Sequence, residues 1–177
     1  MTRPAHNHHF IPGTDSAKPP LVLLHGSGGD EHDLVSLAEE VAPGSPILAR
    51  TPILANFIET VLAGHIFARR PIAIGFSNGA IMAAALLLTR PSLLAGAILF
   101  RPLSPFTNDL PTRLDGTPVL VIDGDKDGRR SPGDGLRLAE RLIRAGATVT
   151  HHLLQTGHST TAMDREIAKA WLHEIVA

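Results

Sequence analysis

Short apolar runs alternate with longer segments of helical periodicity along almost the whole chain. The runs at Leu21–Leu24, 71–76 and 95–100 contain no polar side chain, as expected of strands that are buried on both faces of a sheet. The segments between the runs place apolar residues three and four positions apart, which is typical of helices. This alternation predicts an α/β fold, with a mostly parallel central sheet of about seven strands and helices on both faces.

The bounds of the predicted elements follow from these patterns and from the Gly and Pro residues that interrupt them. We predict an edge strand at 8–11 and further strands at 21–24, 46–49, 71–76, 95–100, 118–123 and 147–153. We predict helices at 33–41, 55–68, 78–90, 133–145 and 161–176. In the helix at 133–145, Leu136, Ala139, Leu142 and Ile143 are expected to face the core. The segment 101–116 contains three prolines and is expected to be irregular.

The length of the chain predicts a single domain. A chain of 177 residues is long enough to bury one sizeable core, and no linker interrupts the pattern. We predict an N-terminal segment at 1–12, which contains the edge strand, and one α/β domain at 13–177. The longest apolar stretch, 80–88, is about half the length of a membrane span, and the polar start of the chain lacks the apolar core of a signal peptide. We therefore expect no stable membrane insertion and a cytoplasmic location.

The net charge and the cysteine content exclude several function classes. The formal net charge is −1 and no basic block is present, so the chain lacks the electrostatic signature of a nucleic-acid-binding protein. The chain contains no cysteine, which excludes disulfides, thiolate metal sites and a cysteine nucleophile.

The sequence GFSNG at 75–79 lies where a predicted strand meets a predicted helix. A serine at such a sharp turn presents its hydroxyl clear of the sheet, and the helix N-terminus favours negative charge that develops beside it. Strand and helix approach so closely there that the residues two before and two after the serine must lack side chains, and both are glycine. Ser77 is therefore a candidate nucleophile. The alternative is a Gly-rich turn with a capping serine.

A second Gly-rich turn, HGSGG at 25–29, follows an earlier strand. Acyl transfer requires backbone N–H donors aimed at a tetrahedral oxyanion, and we predict that Ser27 and Asn78 supply them. The alternatives are a phosphate-binding loop and a plain turn. The segment has no Lys for a P-loop and lacks the Gly-x-Gly-x-x-Gly spacing of dinucleotide-binding folds.

Two loops at the ends of later strands carry the other polar candidates. Asp123 ends a predicted strand and Asp125 and Asp127 follow it, where a carboxylate is able to orient a histidine through its Nδ1–H. The alternatives are Ca²⁺ binding, for which the full EF-hand spacing is missing, and helix capping. His158 lies between the last strand and the last helix, and its alternative is a solvated loop histidine. The chain order of serine, aspartate and histidine is that of one class of hydrolases, and all of these loops lie where open α/β sheets bind ligands.

These motifs resemble the α/β-hydrolase superfamily, and more closely its bacterial carboxylesterase/phospholipase group, which is related to the acyl-protein thioesterases. The stretches PPLVLLHGSGGDEHDL, AIGFSNGA, LLAGAILFRPLSP and GDKD carry the resemblance, which extends from about residue 8 to the C-terminus. It implies a compact α/β-hydrolase fold and hydrolysis of small-molecule carboxylic esters, with no metal and no organic cofactor.

The resemblance also assigns roles to particular residues. The acid of this family lies three residues after a Gly that ends a strand, which makes the triad Ser77, His158 and Asp127. The residue after the nucleophile and the residue after His-Gly supply the oxyanion N–H groups, and these are Asn78 and Ser27. The implied reaction is attack of the serine on an ester carbonyl with the histidine as base, followed by hydrolysis of an acyl-enzyme.

Two departures from the family affect the walls of the substrate pocket. Only 52 positions separate His25 from Ser77, which leaves little room for an insertion that shapes the acyl pocket in relatives. After Asp127 the chain reads Gly-Arg-Arg-Ser-Pro, where relatives have an apolar Val-Pro turn. No segment is long enough for a lid domain. We expect a shallow, open pocket, or one that the second subunit of a homodimer completes.

Four apolar residues and one arginine are weaker substrate-binding candidates. Met82, Phe57, Leu103 and Phe106 are candidates for an acyl pocket, although apolar residues at helical spacing more often belong to the core. Arg101 follows a buried strand and is a candidate contact for an anionic substrate group. Its alternative is a solvated charge.

Further charged and basic residues have two interpretations each. Arg129 and Arg130 lie just past the proposed acid, and such residues are more often solvated charges than substrate contacts. The cluster His6, His8 and His9 is either a transition-metal site or, more often for a terminal segment, structural or disordered.

Two rivals to a serine esterase remain. A thioesterase or a lysophospholipase uses the same machinery, and the sequence does not separate these activities. A non-catalytic small-molecule receptor on the hydrolase fold belongs to another class. All three triad positions are filled, which favours an enzyme, and covalent reactivity of the serine distinguishes the two classes.

Overall fold

The sheet contains all seven predicted strands. The computed structural model describes residues 8–15, 17–50 and 69–176. The strands are β1 (His8–Ile11), β2 (Leu21–Leu24), β3 (Ile47–Arg50), β4 (Ile72–Phe76), β5 (Gly96–Phe100), β6 (Pro118–Gly124) and β7 (Thr148–Leu154). Each predicted strand is confirmed to within one residue at either end.

The strands form one sheet in the order β1-β3-β2-β4-β5-β6-β7. β1 runs antiparallel to β3 at one edge, and every other pair of neighbours is parallel. β4 lies at the centre, between β2 and β5. The mostly parallel sheet predicted from the uninterrupted apolar runs is confirmed.

Four helices are described, namely α1 (Val35–Val41), α2 (Asn78–Thr89), α3 (Asp134–Arg144) and α4 (Ala162–Val176). The last three confirm their predicted bounds to within one residue, whereas α1 begins two residues later than predicted. The helix predicted at 55–68 lies outside the described residues. Within the described ranges, no helix combines the length and the apolar character needed to cross a membrane.

The helices cover both faces of the sheet, as predicted. Successive side chains of a strand point to opposite faces, so each buried strand contributes to two cores. Val22 and Leu24 of β2 belong to the core that packs against α2 and α3. Leu21 and Leu23 belong to the core that packs against α1 and α4. Burial on both faces explains why these strands do not alternate apolar with polar residues.

Helix α3 turns a different face to the sheet from the predicted one. Its buried residues are small or aliphatic: Gly135, Leu138, Ala139 and Leu142. Leu136 and Ile143, which were also predicted to face the core, are 48% and 55% exposed. A Cβ at Gly135 would overlap the carboxylate of Asp123. The inner face is therefore the one whose small residues let the helix approach the sheet closely.

The segment 101–116 contains no helix or strand, as predicted, and side chains tie it to the domain. Arg141 and Arg144 of α3 both form ion pairs with Asp109, at 2.7 and 2.9 Å. The hydrogen bond from Arg144, with a smaller contribution from Arg141, holds the pKa of the Asp109 carboxyl below its ordinary value. The hydroxyl of Thr112 donates to the carbonyl of Leu88 at 2.5 Å.

The carboxyl edge of the sheet collects the polar candidates. Ser27, Ser77, Asp127 and His158 follow β2, β4, β6 and β7 respectively. Since these four strands are parallel to one another, their carboxyl ends meet at the same edge. The topology thereby brings residues that are distant in sequence to one place.

Candidate active site

Ser77 lies on a strained turn between β4 and α2. Its backbone has φ 54° and ψ −114°, and a positive φ is uncommon for a residue other than glycine. A Cβ at Gly75 would lie 2.5 Å from the carbonyl oxygen of Gly79, and a Cβ at Gly79 would overlap the carbonyl of Leu24. The two glycines therefore permit β2, β4 and α2 to approach one another closely at this turn. The turn itself was predicted from the spacing of the glycines.

The imidazole of His158 contacts both Ser77 and Asp127. Its Nε2 lies 3.0 Å from Oγ of Ser77, and its Nδ1 lies 2.8 Å from Oδ2 of Asp127. Both distances are in the range of hydrogen bonds. The side chain of Asp127 is 2% exposed and that of His158 is 13% exposed, so the pair is largely shielded from water. The structure thus brings together three residues that the sequence analysis named as one set.

Asp127 reaches the histidine because the chain continues to pair beyond the ends of β6 and β7. The N–H of Asp125 donates to the carbonyl of Leu154 at 2.9 Å. The N–H of Lys126 donates to the carbonyl of Thr156 at 3.0 Å. These two bonds hold the loop after β6 against the loop after β7, which places the carboxylate beside the imidazole.

The three aspartates of this region have three different environments. Asp127 contacts His158, as described above. Asp123 contacts a different histidine, with Oδ2 at 2.8 Å from Nε2 of His151. Asp125 is exposed. Of the three, the geometry places Asp127 in the position that the resemblance implied.

Arg101 is buried, and the prediction that it contacts an anionic substrate group is wrong. Its side chain is 0% exposed and forms a two-point ion pair with Asp164 of α4, at 2.7 and 2.9 Å. Nε and Nη2 also donate to the carbonyls of Gly157 and Ser159, at 3.0 and 3.1 Å. A guanidinium with no exposed surface is unable to meet a substrate. Arg101 instead holds the loop on both sides of His158.

Arg130 is half-buried beside the serine, although its sequence position favoured a solvated charge. Its Nη2 donates to Oγ of Ser77 at 2.9 Å. Its Nε donates to the carbonyl of Arg101 at 2.7 Å. The only signal in the sequence for this contact is the position of Arg130 three residues after Asp127.

Phe76 is a second residue at the site that the sequence analysis treated only as part of a strand. Its ring lies 5.1 Å from the ring of His158, centroid to centroid, with the planes tilted by 53°. A Cβ at Gly26 would lie 3.0 Å from the same ring. Phe76 therefore packs between the turn after β2 and the imidazole of His158. In the sequence, this contact is indicated by the position of Phe76 immediately before Ser77.

The two residues predicted to supply N–H groups are joined to each other. Nδ2 of Asn78 donates to Oγ of Ser27 at 2.6 Å. Asn78 is the first residue of α2, so its backbone N–H has no acceptor within the helix. His25, just before this turn, is buried, and its Nδ1 lies 2.7 Å from the carbonyl oxygen of Gly26. The turn after β2 is thereby fixed beside the start of α2.

The apolar candidates have separate locations. Met82 is half-buried and packs against the core on the α2 side. Leu103 and Phe106 line a cavity of about 320 Å³ with polar residues of α3. Phe57 lies outside the described residues. The role of these four side chains in an acyl pocket stays a prediction.

The histidine cluster near the N-terminus is only partly described. In the ranges 8–15, 17–50 and 69–176, no group of three or more His, Asp or Glu side chains is arranged to hold a metal ion. The ring of His9 packs against that of His32, at 5.1 Å between centroids. His6 lies outside the described residues, so the metal-binding interpretation stays untested.

Comparison with known proteins identifies relatives over most of the chain. A family model described as Phospholipase/Carboxylesterase matches residues 33–175. The chain is 32% identical, over 187 residues, to MhqD of Bacillus subtilis (strain 168), a protein provisionally named as a hydrolase. That match covers 88% of this chain and 93% of the relative.

Solved structures of carboxylesterases have the same fold. The carboxylesterase of Bacillus cereus matches with a TM-score of 0.90 and 32% identity, over 96% of this chain and 94% of that one. A carboxylesterase from Mesorhizobium loti matches with a TM-score of 0.87 and 26% identity, over 98% and 97% of the two chains. With its compact α/β-hydrolase fold and the family match over residues 33–175, the chain belongs to the phospholipase/carboxylesterase family of hydrolases.

Proposed function

We propose that this hydrolase cleaves carboxylic esters through an acyl-enzyme on Ser77. The observation that carries the proposal is a continuous line of contacts from Oγ of Ser77, through the imidazole of His158, to the carboxylate of Asp127, at 3.0 and 2.8 Å. Such an arrangement couples a nucleophile to a base, and the base to a group that orients it. Membership of the phospholipase/carboxylesterase family supports the same class of reaction.

Asp127 sets the protonation pattern of the histidine in this proposal. Its Oδ1 accepts the N–H of Arg129 at 2.9 Å, which leaves Oδ2 to accept Nδ1–H of His158. With a proton on Nδ1, Nε2 accepts the proton of Ser77 as the serine oxygen attacks the ester carbonyl. The buried carboxylate stabilises the imidazolium that forms. His158 then gives its Nε2 proton to the leaving alcohol.

The negative charge of the tetrahedral intermediate needs fixed donors beside the serine. We assign this role to the backbone N–H groups of Ser27 and Asn78, because the bond between their side chains holds the two turns together next to Ser77. Water then attacks the acyl-enzyme, with His158 again accepting a proton. Release of the acid restores the free serine.

A series of 4-nitrophenyl esters of increasing acyl length tests the proposal. We expect turnover of at least the shorter esters by the native protein and a loss of about 10⁶-fold in kcat for Ser77→Ala. An acyl thioester and a lysophospholipid of matched acyl length, added to the series, separate ester hydrolysis from the two related activities. Turnover that survives in Ser77→Ala would place the reaction elsewhere and contradict the proposal.

A further inference from the structure

The position of Arg130 points to the class of ester that the site accepts. Its Nη2 lies 2.9 Å from Oγ of Ser77, the same oxygen that Nε2 of His158 approaches at 3.0 Å. A guanidinium therefore borders the atom at which we propose that the reaction takes place. Arg130 follows β6 and Ser27 follows β2, and these two strands lie on opposite sides of β4, the strand that leads into Ser77.

The guanidinium of Arg130 is held in place by backbone carbonyls. Its Nε donates to the carbonyl of Arg101 at 2.7 Å, and its Nη1 donates to the carbonyl of Arg129 at 3.1 Å. Arginine has five N–H donors, so with the bond to Ser77 three are used and two remain, one on each terminal nitrogen. Two N–H groups on adjacent nitrogens suit the two oxygens of a carboxylate.

The neighbouring carboxylates already have other partners. Asp127 accepts one bond on each oxygen, from the N–H of Arg129 and from His158. The remaining acids of this region are bound elsewhere or solvated: Asp123 contacts His151, Asp134 pairs with Arg137, and Asp125 is exposed. No ion pair among the described residues includes Arg130.

A half-buried charge without a counter-charge is costly, because hydrogen bonds to neutral partners replace only part of its lost hydration. Arg130 keeps only neutral partners within the described part of the chain: two carbonyls and a hydroxyl. A substrate anion would supply the missing counter-charge. An anion held by this guanidinium lies close to the serine oxygen, so on the substrate it must lie close to the carbonyl that the serine attacks.

We propose that Arg130 selects esters that carry a carboxylate within about two carbons of the scissile bond, on either the acyl or the alcohol side, because its guanidinium reaches Oγ of Ser77 at 2.9 Å. This inference rests on the ester hydrolysis proposed above. Arg130 binds the carboxylate, and because its Nη2 lies 2.9 Å from Oγ of Ser77, we expect the bound anion to border the reacting atom. Neutral esters of the same shape leave the guanidinium without a counter-charge and are the poorer substrates.

Two pairs of substrates test the selectivity and distinguish the two sides. Monoethyl succinate and ethyl pentanoate differ in whether the end of the acyl group is a carboxylate. Acetoxyacetate and propyl acetate differ in the same way at the end of the alcohol. We expect kcat/KM of the native protein to be about tenfold or more higher for the charged member of at least one pair. Arg130→Gln should lower that charged-to-neutral ratio by about ten- to a hundredfold, and Arg130→Lys by less.

Arg113→Gln is the matched control, because it removes the same charge from a side chain that is 89% exposed and belongs to none of the turns that carry Ser77, Asp127 and His158. It should leave the charged-to-neutral ratio within about twofold of that of the native protein. A purely structural role of Arg130 would lower the rates of both members of a pair equally and leave the ratio unchanged, which would overturn the inference. Preference of the native protein for the neutral member of both pairs would overturn it even if Arg130→Gln failed to fold.

The same four esters also distinguish a failure of this inference from a failure of the proposed function. Efficient hydrolysis of the neutral esters, with no effect of Arg130→Gln on either ratio, would leave the esterase proposal standing and refute the role of Arg130. Absence of turnover for all four esters and for 4-nitrophenyl acetate, with the protein folded, would refute both.

Discussion

The guanidinium of Arg101 and the carboxylate of Asp164 form a two-point ion pair in which neither side chain is exposed to solvent. Arg101 follows β5 and Asp164 lies in the first turn of α4, so the pair joins the sheet to the last helix. The same guanidinium binds the two carbonyls that flank His158, at Gly157 and Ser159. The loop that carries His158, the proposed base, is thus held by the guanidinium of Arg101, which has no surface exposed to a substrate.

Removal of one partner of this buried pair should destabilise the protein strongly. Asp164→Asn leaves the charge of Arg101 buried and uncompensated, and we expect a loss of about 3–5 kcal/mol of unfolding free energy. For a chain of this length, that corresponds to a fall in Tm of about 6–20 °C. Thermal unfolding measured by circular dichroism provides the test.

Asp115→Asn is the control for that measurement. Asp115 pairs with Arg113 at 3.6 Å, but the two side chains are 79% and 89% exposed. An exposed pair contributes little, so Tm should stay close to that of the native protein. Equal effects of Asp164→Asn and Asp115→Asn on Tm would show that the buried pair contributes no more to stability than the exposed one, which would contradict this prediction.

The two aspartates after β6 should differ in their effect on turnover. Asp127→Asn removes the acceptor of Nδ1–H of His158, and we expect kcat to fall by about 10⁴-fold. Asp125→Asn removes an exposed carboxylate with the same change of charge, and kcat should stay within about twofold. The kcat values of both variants with one 4-nitrophenyl ester provide the comparison, and a larger loss for Asp125→Asn would reassign the acid.

Gly79 should tolerate no side chain. A Cβ there would overlap the carbonyl of Leu24, a backbone atom that is unable to move without a shift of β2. We expect Gly79→Ala to cost about 3 kcal/mol or more and to impair the site. At Gly128 a Cβ would meet nothing within 4 Å, so Gly128→Ala should change stability by less than about 0.5 kcal/mol. Denaturant unfolding of both variants checks this, and a stable, active Gly79→Ala would contradict the packing described for the turn.

The hydrogen bond between Asn78 and Ser27 should be measurable by a double-mutant cycle. Asn78→Ala and Ser27→Ala each remove this bond while the backbone N–H groups remain. We expect each to lower kcat/KM about two- to fivefold, and the double variant to be no worse than either single one. A loss of about a hundredfold in one single variant would instead mean that its side chain binds the oxyanion directly.

The proximity of Ser77, His158 and an aspartate near the end of β6 could be predicted from the positions of these residues in the sequence, whereas the choice of Asp127 over Asp123 and Asp125 rested on the family resemblance. Ser77 lies between two glycines at a strand-to-helix turn, Asp127 follows an apolar strand, and His158 lies between the last strand and the last helix. The carboxyl ends of parallel strands lie at the same edge of a sheet, whatever the details of packing. The order of the predicted elements was therefore enough to expect these residues to lie close together.

The roles of Arg101 and Arg130 had no local signature in the sequence. Arg101 pairs with a residue 63 positions away, and Arg130 contacts Ser77 across 53 positions. Composition at those sites favours solvated charges, because arginine is seldom fully buried. Only the tertiary structure shows that one of the two is fully buried and that the other reaches the serine.

The inward face of α3 was mispredicted for a related reason. Apolar residues occur on more than one side of this helix, so the periodicity alone is ambiguous. The sheet contacts the side with Gly135 and Ala139, which lets the helix approach closely, and leaves Leu136 and Ile143 at the surface. Helix–sheet distance, which a sequence does not display, decides which side is buried.

The most direct test of the account is whether Ser77 is an activated nucleophile. A fluorophosphonate probe reacts with such a serine without any assumption about the natural ester, and intact-mass and peptide mass spectrometry locate the product. We predict one probe per chain, attached to Ser77, with labelling lost in His158→Ala and retained in His173→Ala, a variant of an exposed histidine on α4. A folded native protein that remains unlabelled, or a His158→Ala variant labelled as fast as the native protein, would contradict the central claim.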